Sequence, residues 1–298
     1  MNTANSRLLR SVLYVPADKP RAIAKSVKLD TDAIIFDLED AVALSMKAEG
    51  RENLRAHFRK THDVRALQAI RINAFDTEFA TEDFLAARAC NPDAIVLPKV
   101  ASTADLEVLF DALDETDAPA SIRVWAMIET ARGVANAAQI AQQMQYKGSR
   151  LDAFIAGTND LFKETGVSGP KARKVAHPWL MQIVLGARCG GLSVIDGVFN
   201  DHSDAAGFRA HCEAGSGMGF DGVSVIHPNQ ISTANEAYAP AHDQIEEAQA
   251  IVTEFKKAEN AERGVISVGG RMVERLHLAE AEALLAKVAI IENEIRRR

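Results

Sequence analysis

Two carboxylates in the sequence, Glu129 and Asp160, each follow an apolar run and could together bind a metal ion. Glu129 lies at the end of RVWAMIET, and Asp160 closes FIAGTND. If the two runs are neighbouring strands, the acids meet at one edge of the sheet as an incomplete set of hard oxygen ligands. Mg2+ suits such a set, because it keeps water or substrate oxygens in its remaining positions. A lone acid here is equally typical of a helix cap, but the pair favours a metal site.

A buried cation with an acidic cluster is predicted at the same edge. Arg71 closes the apolar part of AIRIN, and a buried arginine needs a carboxylate partner or an anionic ligand. Asp37, Glu39 and Asp40 follow another run, IIFDLED. A structural ion pair of Arg71 with Glu39 or Asp40 is the alternative to ligand binding. In a strand, Asp37 and Glu39 share one face and Asp40 the other, so the cluster is predicted to support the metal indirectly. Lys99, in VLPKV, has the same two interpretations, with a Schiff base as a third.

Eight β-like runs alternate with helical segments and would position these side chains. The runs are 11–17, 33–40, 66–73, 93–100, 123–130, 151–157, 192–199 and 222–228. Strands that are covered on both faces are continuously apolar, and eight strand–helix units are typical of a closed (β/α)8 TIM barrel. The charged residues then lie at the C-terminal rim, where barrel enzymes have their active sites. An open doubly wound sheet is the alternative, and no GxGxxG follows any strand to support it.

The pattern changes after Pro228, where charged helical segments replace the strand–helix alternation. We therefore predict a catalytic barrel over residues 1–235 and a helical C-terminal extension over 236–298. The extension is expected either to pack on the outside of the barrel or to cross to a neighbouring subunit. Within it, the stretch from Gly264 to Gly270, with Met272, is interpreted as a mobile lid or a plain loop between helices.

Composition excludes several classes of protein. The net charge of −7 over 298 residues opposes a nucleic-acid surface, and the three cysteines form no CxxC pair that would indicate zinc. The N-terminus lacks the apolar core of a signal peptide, and no run approaches the roughly 20 apolar residues of a membrane span. These features predict a cytoplasmic enzyme with a small-molecule substrate and without a nucleic-acid or membrane partner.

Several stretches together resemble the HpcH/HpaI aldolase and citrate lyase β-subunit family, and the long form with a C-terminal extension is similar to acyl-CoA lyases of malyl-, citramalyl- and citryl-CoA. The stretches, in chain order, are RSVLYVPADKPRAIAK, AIIFDLEDAV, RIN, VLPKV, MIET, GTNDL and GFDGVSVIHPNQI. The resemblance implies a (β/α)8 barrel whose Mg2+ is held by Glu129 and Asp160. It implies that Arg71 binds the oxygens of a keto acid.

The same resemblance assigns further ligand contacts. Tyr14, Arg21 and Lys25 are implied to contact the CoA thioester, and Ile226 and His227 to lie along the same ligand. Members of the family assemble as trimers or hexamers, in which a C-terminal segment lends a carboxylate to the next subunit. A homo-oligomer is therefore expected.

This chain departs from the family pattern at three places. Ala17 replaces the glycine of VPG, and Val223 stands where members often carry a lysine, which removes one possible phosphate contact. The catalytic aspartate of the C-terminal G-x-M-[IV]-D pattern aligns with Glu274, whose side chain reaches one methylene further. An exposed structural glutamate on the tail is the alternative role for Glu274.

The resemblance favours Mg2+-dependent retro-Claisen cleavage of a 3-hydroxyacyl-CoA thioester, with citramalyl-CoA giving pyruvate and acetyl-CoA as the preferred case. Arg71 is expected to stabilise charge on the keto acid and Glu274 to exchange the proton at the thioester carbon, with Glu39 and Asp40 as further catalytic residues. Three other hypotheses remain open: a citrate lyase β subunit, a CoA-independent keto-acid aldolase, and a barrel that binds keto acids without catalysis.

Overall fold

The computed structural model describes residues 7–60, 64–146, 148–260 and 262–296. The chain divides into two compact units, one over Leu9–Tyr238 and a second that begins at Ala239. Each unit has its own apolar core.

The first unit is a closed barrel of eight parallel strands within the described residues. The strands are β1 Ser11–Pro16, β2 Ala33–Asp37, β3 Leu67–Arg71, β4 Ala94–Leu97, β5 Arg123–Ile128, β6 Leu151–Ala156, β7 Ser193–Asp196 and β8 Gly222–Val225. Each strand pairs with the next, and β8 pairs with β1 through the register Val12↔Ser224, which closes the ring. The predicted (β/α)8 barrel is therefore confirmed.

Helices follow the strands and cover the outside of the barrel. They are α1 Pro20–Ser26, α2 Lys47–Lys60, α3 Ala80–Cys90, α4 Thr103–Glu115, α5 Ala131–Ala141, α6 Thr158–Thr165, α7 Ala172–Val175, α8 His177–Gly190, α9 Ala205–Met218 and α10 Ile231–Ala237. The sequence predicted one long helix near 171–188 after the sixth strand and did not predict α6. Helix α6 has only eight residues and begins at Thr158, so its apolar period is too short to recognise.

Strand residues alternate between two apolar layers. Side chains that point outward, among them Phe36, Ile70 and Phe154, pack under the helices. Side chains that point inward, among them Ile35 and Trp125, fill the barrel interior. Because both faces are buried, the strands are mostly apolar, and charged residues appear at or soon after the C-terminal ends of β2, β3, β5 and β6.

The second unit contains α11 His242–Phe255, β9 Val265–Val268, β10 Arg271–Glu274 and α12 Arg275–Arg296. The stretch predicted as a lid or loop is a β-hairpin, because β9 and β10 pair antiparallel through Arg271↔Val268. Its two turn residues, Gly269 and Gly270, have φ angles of 56° and 81°. Glycine adopts these left-handed angles without steric cost, and two-residue hairpins require them.

Among the described residues, no helix combines the length and the apolar character that a membrane crossing requires.

Candidate active site

A cavity of about 300 Å³ opens at the C-terminal ends of the barrel strands. Its charged lining residues come from four different strands or the loops that follow them, as the active sites of barrel enzymes do. The lining residues are Tyr14, Asp37, Asp40, Ala41, Arg71, Met127, Glu129, Ile155, Ala156, Gly157, Thr158, Asn159, Asp160, Val198, Asn200, Ser224 and Ile226. Glu129, Asp160 and Arg71, which the sequence assigned to one site, therefore face the same cavity.

Glu129 follows β5 and is almost fully buried, with 1% of its surface exposed. It does not cap α5, because the side chain of Thr130 accepts the hydrogen bond from Gly133 N. Instead, Glu129 Oε1 accepts a hydrogen bond of 2.7 Å from the backbone N–H of Lys99. Burial, together with the nearby charge of Glu39, raises the pKa of Glu129 to about 8. A buried carboxylate with so high a pKa favours either a proton or a cation.

Lys99 presents this N–H from an unusual backbone conformation. Its φ of +55° is in the left-handed region, which costs a non-glycine residue about 1 kcal/mol or more. The side chain is half-exposed, with Nζ 3.7 Å from Glu39 Oε1. Although burial lowers the pKa of Lys99, the carboxylates of Glu39 and Asp40 outweigh it and raise that pKa. A Schiff-base lysine needs a lowered pKa, so this geometry opposes that interpretation.

Asp160 lies in the first turn of α6, four residues beyond the end of β6. Gly157 brings this loop against Glu129: a Cβ at position 157 would lie 2.3 Å from Glu129 Cβ and 2.4 Å from its Oε2. The absence of a side chain at Gly157 therefore makes the space in which the Glu129 carboxylate sits beside the Asp160 loop.

The residues fit Mg2+. Glu129 and Asp160 line one cavity, and the described residues contain no group of three or more histidine, cysteine, aspartate or glutamate side chains that would complete a metal cage. Mg2+ is typically bound by one or two carboxylates and keeps several sites for water or substrate oxygens. The high pKa of Glu129 is also expected of a carboxylate whose natural partner is a cation.

The substitution Gly157→Ala tests whether the space beside Glu129 is needed for Mg2+ binding. The added methyl group has no space unless the Glu129 side chain moves, so we expect Mg2+ affinity to fall about 10-fold or more. Isothermal titration with MgCl2 measures the change. Gly217→Ala is the matched control, because a Cβ there meets nothing within 4 Å. Equal Mg2+ affinity in the two variants would contradict the assignment.

Arg71, at the end of β3, is clamped by two carboxylates. Its Nε and Nη2 donate to the two oxygens of Asp37 at 2.7 and 2.6 Å, and its Nη1 lies 2.7 Å from Glu39 Oε2. The alternative to ligand binding that the sequence left open was an ion pair of Arg71 with Glu39 or Asp40, and the pair with Glu39 is present. Asp40 is not a partner of Arg71, and the bidentate partner is Asp37, which sequence reasoning did not select.

The predicted alternation of the acidic cluster is wrong because β2 ends at Asp37. The chain turns there, with the carboxylate of Asp37 accepting hydrogen bonds from Glu39 N and Ala41 N at 2.9 and 3.1 Å. Both Asp37 and Asp40 consequently line the cavity, whereas Glu39 is buried against Arg71. The buried Lys47 fixes the turn, because its Nζ donates to the carbonyl of Glu39 at 2.8 Å.

Tyr14 and Met127 complete the environment of Arg71. The Tyr14 ring lies 5.1 Å from the Arg71 guanidinium carbon. The Met127 sulfur lies 3.6 Å from Arg71 Nη1 and 3.7 Å from the Tyr14 hydroxyl. Burial raises the pKa of Tyr14, so its hydroxyl stays neutral. The guanidinium is thus held rigidly, with carboxylates behind it and an aromatic ring beside it.

The sequence matches the HpcH/HpaI aldolase/citrate lyase family over residues 10–228. The chain belongs to this family. The match covers the whole barrel from β1 to the residues after β8, and the predicted resemblance is confirmed.

Relatives in the family are lyases and thioesterases of CoA esters. The (3S)-malyl-CoA thioesterase of Cereibacter sphaeroides is 40% identical over 282 residues, which are 95% of each chain. The mitochondrial citramalyl-CoA lyase of Homo sapiens is 28% identical and covers 92% of this chain and 83% of its own. A crystal structure of CitE from Mycobacterium tuberculosis in complex with magnesium, acetoacetate and coenzyme A is 29% identical, with a TM-score of 0.77, and covers 96% of this chain and 100% of that one.

Of the remaining residues that the family resemblance assigned, only Ile226 lines the cavity as described. Arg21 and Lys25 are exposed on α1, one helical turn apart, and neither lines the cavity as described. His227 is exposed, and its ring stacks on His202 with a centroid distance of 4.5 Å. Their roles in ligand binding stay predictions.

Val223 does not bear on phosphate binding in the way the sequence suggested. It is fully buried in the outward apolar layer near the start of β8, and it pairs with Ser11 at the start of β1. A side chain there points under the helices rather than into the cavity, so its replacement of the family lysine is a difference in packing.

Glu274 ends β10, where its backbone N–H donates to His277 Nδ1 at 2.9 Å, and its catalytic role stays a prediction.

Sequence reasoning placed Asp37 in the acidic cluster without selecting it as a site residue, and it missed several other residues that line the cavity. These are Met127, Gly157, Asn159, Asn200 and Ser224. A usable signal existed for Gly157 and Asn159, which lie in GTND beside Asp160. Asn200 comes from a loop that carries no pattern, and the amides of Asn200 and Asn159 donate to each other's oxygens at 2.9 and 3.3 Å.

The stability of the metal-free protein should fall as the pH rises from about 5 to 8. Burial raises the pKa of Glu129 to about 8 and that of Glu39 to about 7, both from 4.5. The folded state therefore holds more protons than the unfolded state in this interval, and the free energy of unfolding decreases with pH.

Mg2+ replaces the proton, so it should stabilise the protein more at pH 8 than at pH 6. Melting curves in chelator and in MgCl2 measure both slopes, and Glu129→Gln should flatten the first. A melting temperature in chelator that rises over this range would contradict the prediction.

Proposed function

We propose that the protein is a Mg2+-dependent thioesterase that hydrolyses a CoA thioester of a 3-hydroxy dicarboxylic acid, with malyl-CoA as the preferred substrate. One observation carries this proposal: the clamped Arg71 and the carboxylates of Glu129 and Asp160 face the same cavity. A cation site and a fixed guanidinium together suit a ligand whose carboxylate and hydroxyl lie side by side.

The relatives support this choice of substrate. The curated relative at 40% identity over nearly the whole length is a (3S)-malyl-CoA thioesterase. The CitE structure with magnesium, acetoacetate and coenzyme A supports both the cofactor and a site with room for CoA. Mg2+ is accordingly the cofactor, and an acyl-CoA is the substrate class.

The residues of the chain have distinct tasks in this reaction. Arg71 binds the free carboxylate of the acyl group through its Nη atoms, and Asp37 and Glu39 prevent it from moving. Tyr14 and Met127 form the apolar wall against the carbon chain. Glu129 and Asp160 would hold Mg2+, which acts as a Lewis acid on substrate oxygens when it is bound.

Carbon–carbon cleavage of citramalyl-CoA is the second candidate, and the 28% identical citramalyl-CoA lyase supports it. Hydrolysis adds water to the carbonyl carbon of the thioester, whereas a lyase breaks the bond between the hydroxyl-bearing carbon and the α-carbon of the thioester. A lyase must then deliver a proton to that α-carbon, which we assign to the C-terminal carboxylate of a neighbouring subunit. In this chain that carboxylate is the longer Glu274 instead of the aspartate of the family pattern. Hydrolysis does not need this proton transfer, so the replacement favours the thioesterase.

Assays of malyl-, citramalyl- and citryl-CoA, with Mg2+ or with chelator, test the proposal. Free CoA thiol and free keto acid are measured in parallel. A thioesterase releases thiol without keto acid, whereas a lyase releases acetyl-CoA and a keto acid in equal amounts. Loss of the signal in chelator is expected in both cases. If no thioester is consumed, the hypotheses of a citrate lyase β subunit, a CoA-independent aldolase or a non-catalytic keto-acid-binding barrel replace both candidates.

A further inference from the structure

Ser224 is a buried polar residue of the cavity that the proposed function has not used. It lies on β8, only 1% of its surface is exposed, and it lines the cavity. Its hydroxyl has no hydrogen-bond partner among the described residues. Buried hydroxyl groups in proteins are nearly always paired, so an unpaired one that faces a ligand cavity indicates a partner supplied by the ligand.

The position of Ser224 in the cavity indicates which part of the ligand supplies this hydrogen-bond partner. The carboxylates and the guanidinium of the cavity come from β2, β3, β5 and β6 and from the loops that follow them. The opposite wall, from β7 and β8, is formed by Val198, Asn200, Ser224 and Ile226 and has no charged side chain among the described residues. A 3-hydroxyacyl thioester has the same asymmetry, because its carboxylate and hydroxyl lie at one end and its neutral thioester at the other.

We propose that Ser224 is a further catalytic residue, whose hydroxyl donates a hydrogen bond to the carbonyl oxygen of the thioester. This inference rests on the proposed function. When water adds to the carbonyl carbon, negative charge develops on that oxygen, and a buried donor stabilises it more strongly than water does. The C–S bond then breaks, so that water has supplied a hydroxyl to the acid and a proton to the CoA thiol.

The test compares the binding of acetyl-CoA and of CoA, which differ only in the thioester group. Ser224→Ala should reduce the preference for acetyl-CoA over CoA about fivefold, the effect of one neutral hydrogen bond. Its dissociation constant for CoA should not change. Titration calorimetry of the full chain in MgCl2 measures both constants. With malyl-CoA, kcat should fall about 100-fold, as for the loss of one oxyanion donor.

Trp125→Phe is the matched control. Trp125 Nε1 is also buried without a partner among the described residues, but it lies in the barrel interior and does not line the cavity as described. Removal of the indole N–H in Trp125→Phe should leave the dissociation constants for acetyl-CoA and for CoA unchanged. Because the Ser224 hydroxyl lacks a protein partner, Ser224→Ala should melt at the temperature of the wild type or above it.

The outcomes separate this inference from the proposed function. An unchanged preference for acetyl-CoA in Ser224→Ala overturns the inference even if malyl-CoA is hydrolysed. A melting temperature lowered by several degrees also overturns it, because the hydroxyl would then have a structural role. If the wild type binds acetyl-CoA better than CoA but hydrolyses no thioester, the proposed function fails and the binding role of Ser224 is still decided by the variant. If the wild type shows no such preference, the inference fails, and hydrolysis of malyl-CoA alone decides the proposed function.

Discussion

Glu129→Gln should reduce turnover by about 1,000-fold or more at every Mg2+ concentration, because it removes one of the two carboxylates available to the cation. Glutamine has the shape of glutamate and can still accept the hydrogen bond from Lys99 N. Since burial already raises the pKa of Glu129, a neutral side chain at this position should not lower the stability of the metal-free protein. Steady-state kinetics and melting curves across an Mg2+ titration measure the two effects.

Glu82→Gln provides the control for this experiment, because Glu82 is exposed in the first turn of α3 and does not line the cavity as described. It should behave like the wild type in both measurements. Recovery of the Glu129→Gln variant at high Mg2+ concentration would show that Glu129 contributes only to affinity. Activity close to that of the wild type would contradict the metal assignment altogether.

Arg71→Lys should lower kcat/KM by about 100-fold or more although it preserves the charge. A lysine has one ammonium group in place of the planar guanidinium. It cannot donate to both oxygens of Asp37, contact Glu39 and also bind the substrate carboxylate. Both carboxylates are buried, and the loss of bidentate pairing should also cost about 1–3 kcal/mol of stability.

Arg10→Lys separates the catalytic effect from the structural one. Arg10 is equally buried and donates to both oxygens of Asp32, at 2.9 and 2.8 Å, just before β1 and so at the opposite end of the barrel. It should lose similar stability and keep the kcat/KM of the wild type. Equal losses of activity in the two variants would mean that Arg71 acts only through the fold.

The barrel was predictable from the sequence because its strands are buried on both faces and several of them are followed closely by charged residues. That pattern sets the strand count and places Glu129, Asp160 and Arg71 at one rim. The failures have local causes. Strand β2 ends at Asp37, whereas the predicted run extended over 33–40. Helix α6 is too short for its apolar period to be recognised. The hairpin of the second unit was missed because its exposed strands have few apolar residues to alternate.

Geometry within the site was less predictable than its composition. The sequence offered three acids near Arg71 without ranking them, because the choice depends on the exact turn after β2. The unpaired hydroxyl of Ser224 has no sequence signature, since a serine in an apolar strand is equally typical of a satisfied core residue. The role of Gly157 depends on a close approach to Glu129 that only coordinates reveal.

The charge balance of the cavity wall implies an order of events. Four carboxyl groups line it, Asp37, Asp40, Glu129 and Asp160, and even with Glu129 protonated below its raised pKa of about 8, three carboxylates face the single guanidinium of Arg71 among the described residues. An acyl-CoA carries several negative charges, so the field of the empty cavity repels the acyl end and attracts small cations. Mg2+ should therefore enter first and invert the local potential before the thioester approaches. In kinetic terms, binding is then ordered, with Mg2+ first and the thioester second. The rate of substrate binding should therefore depend on the Mg2+ concentration.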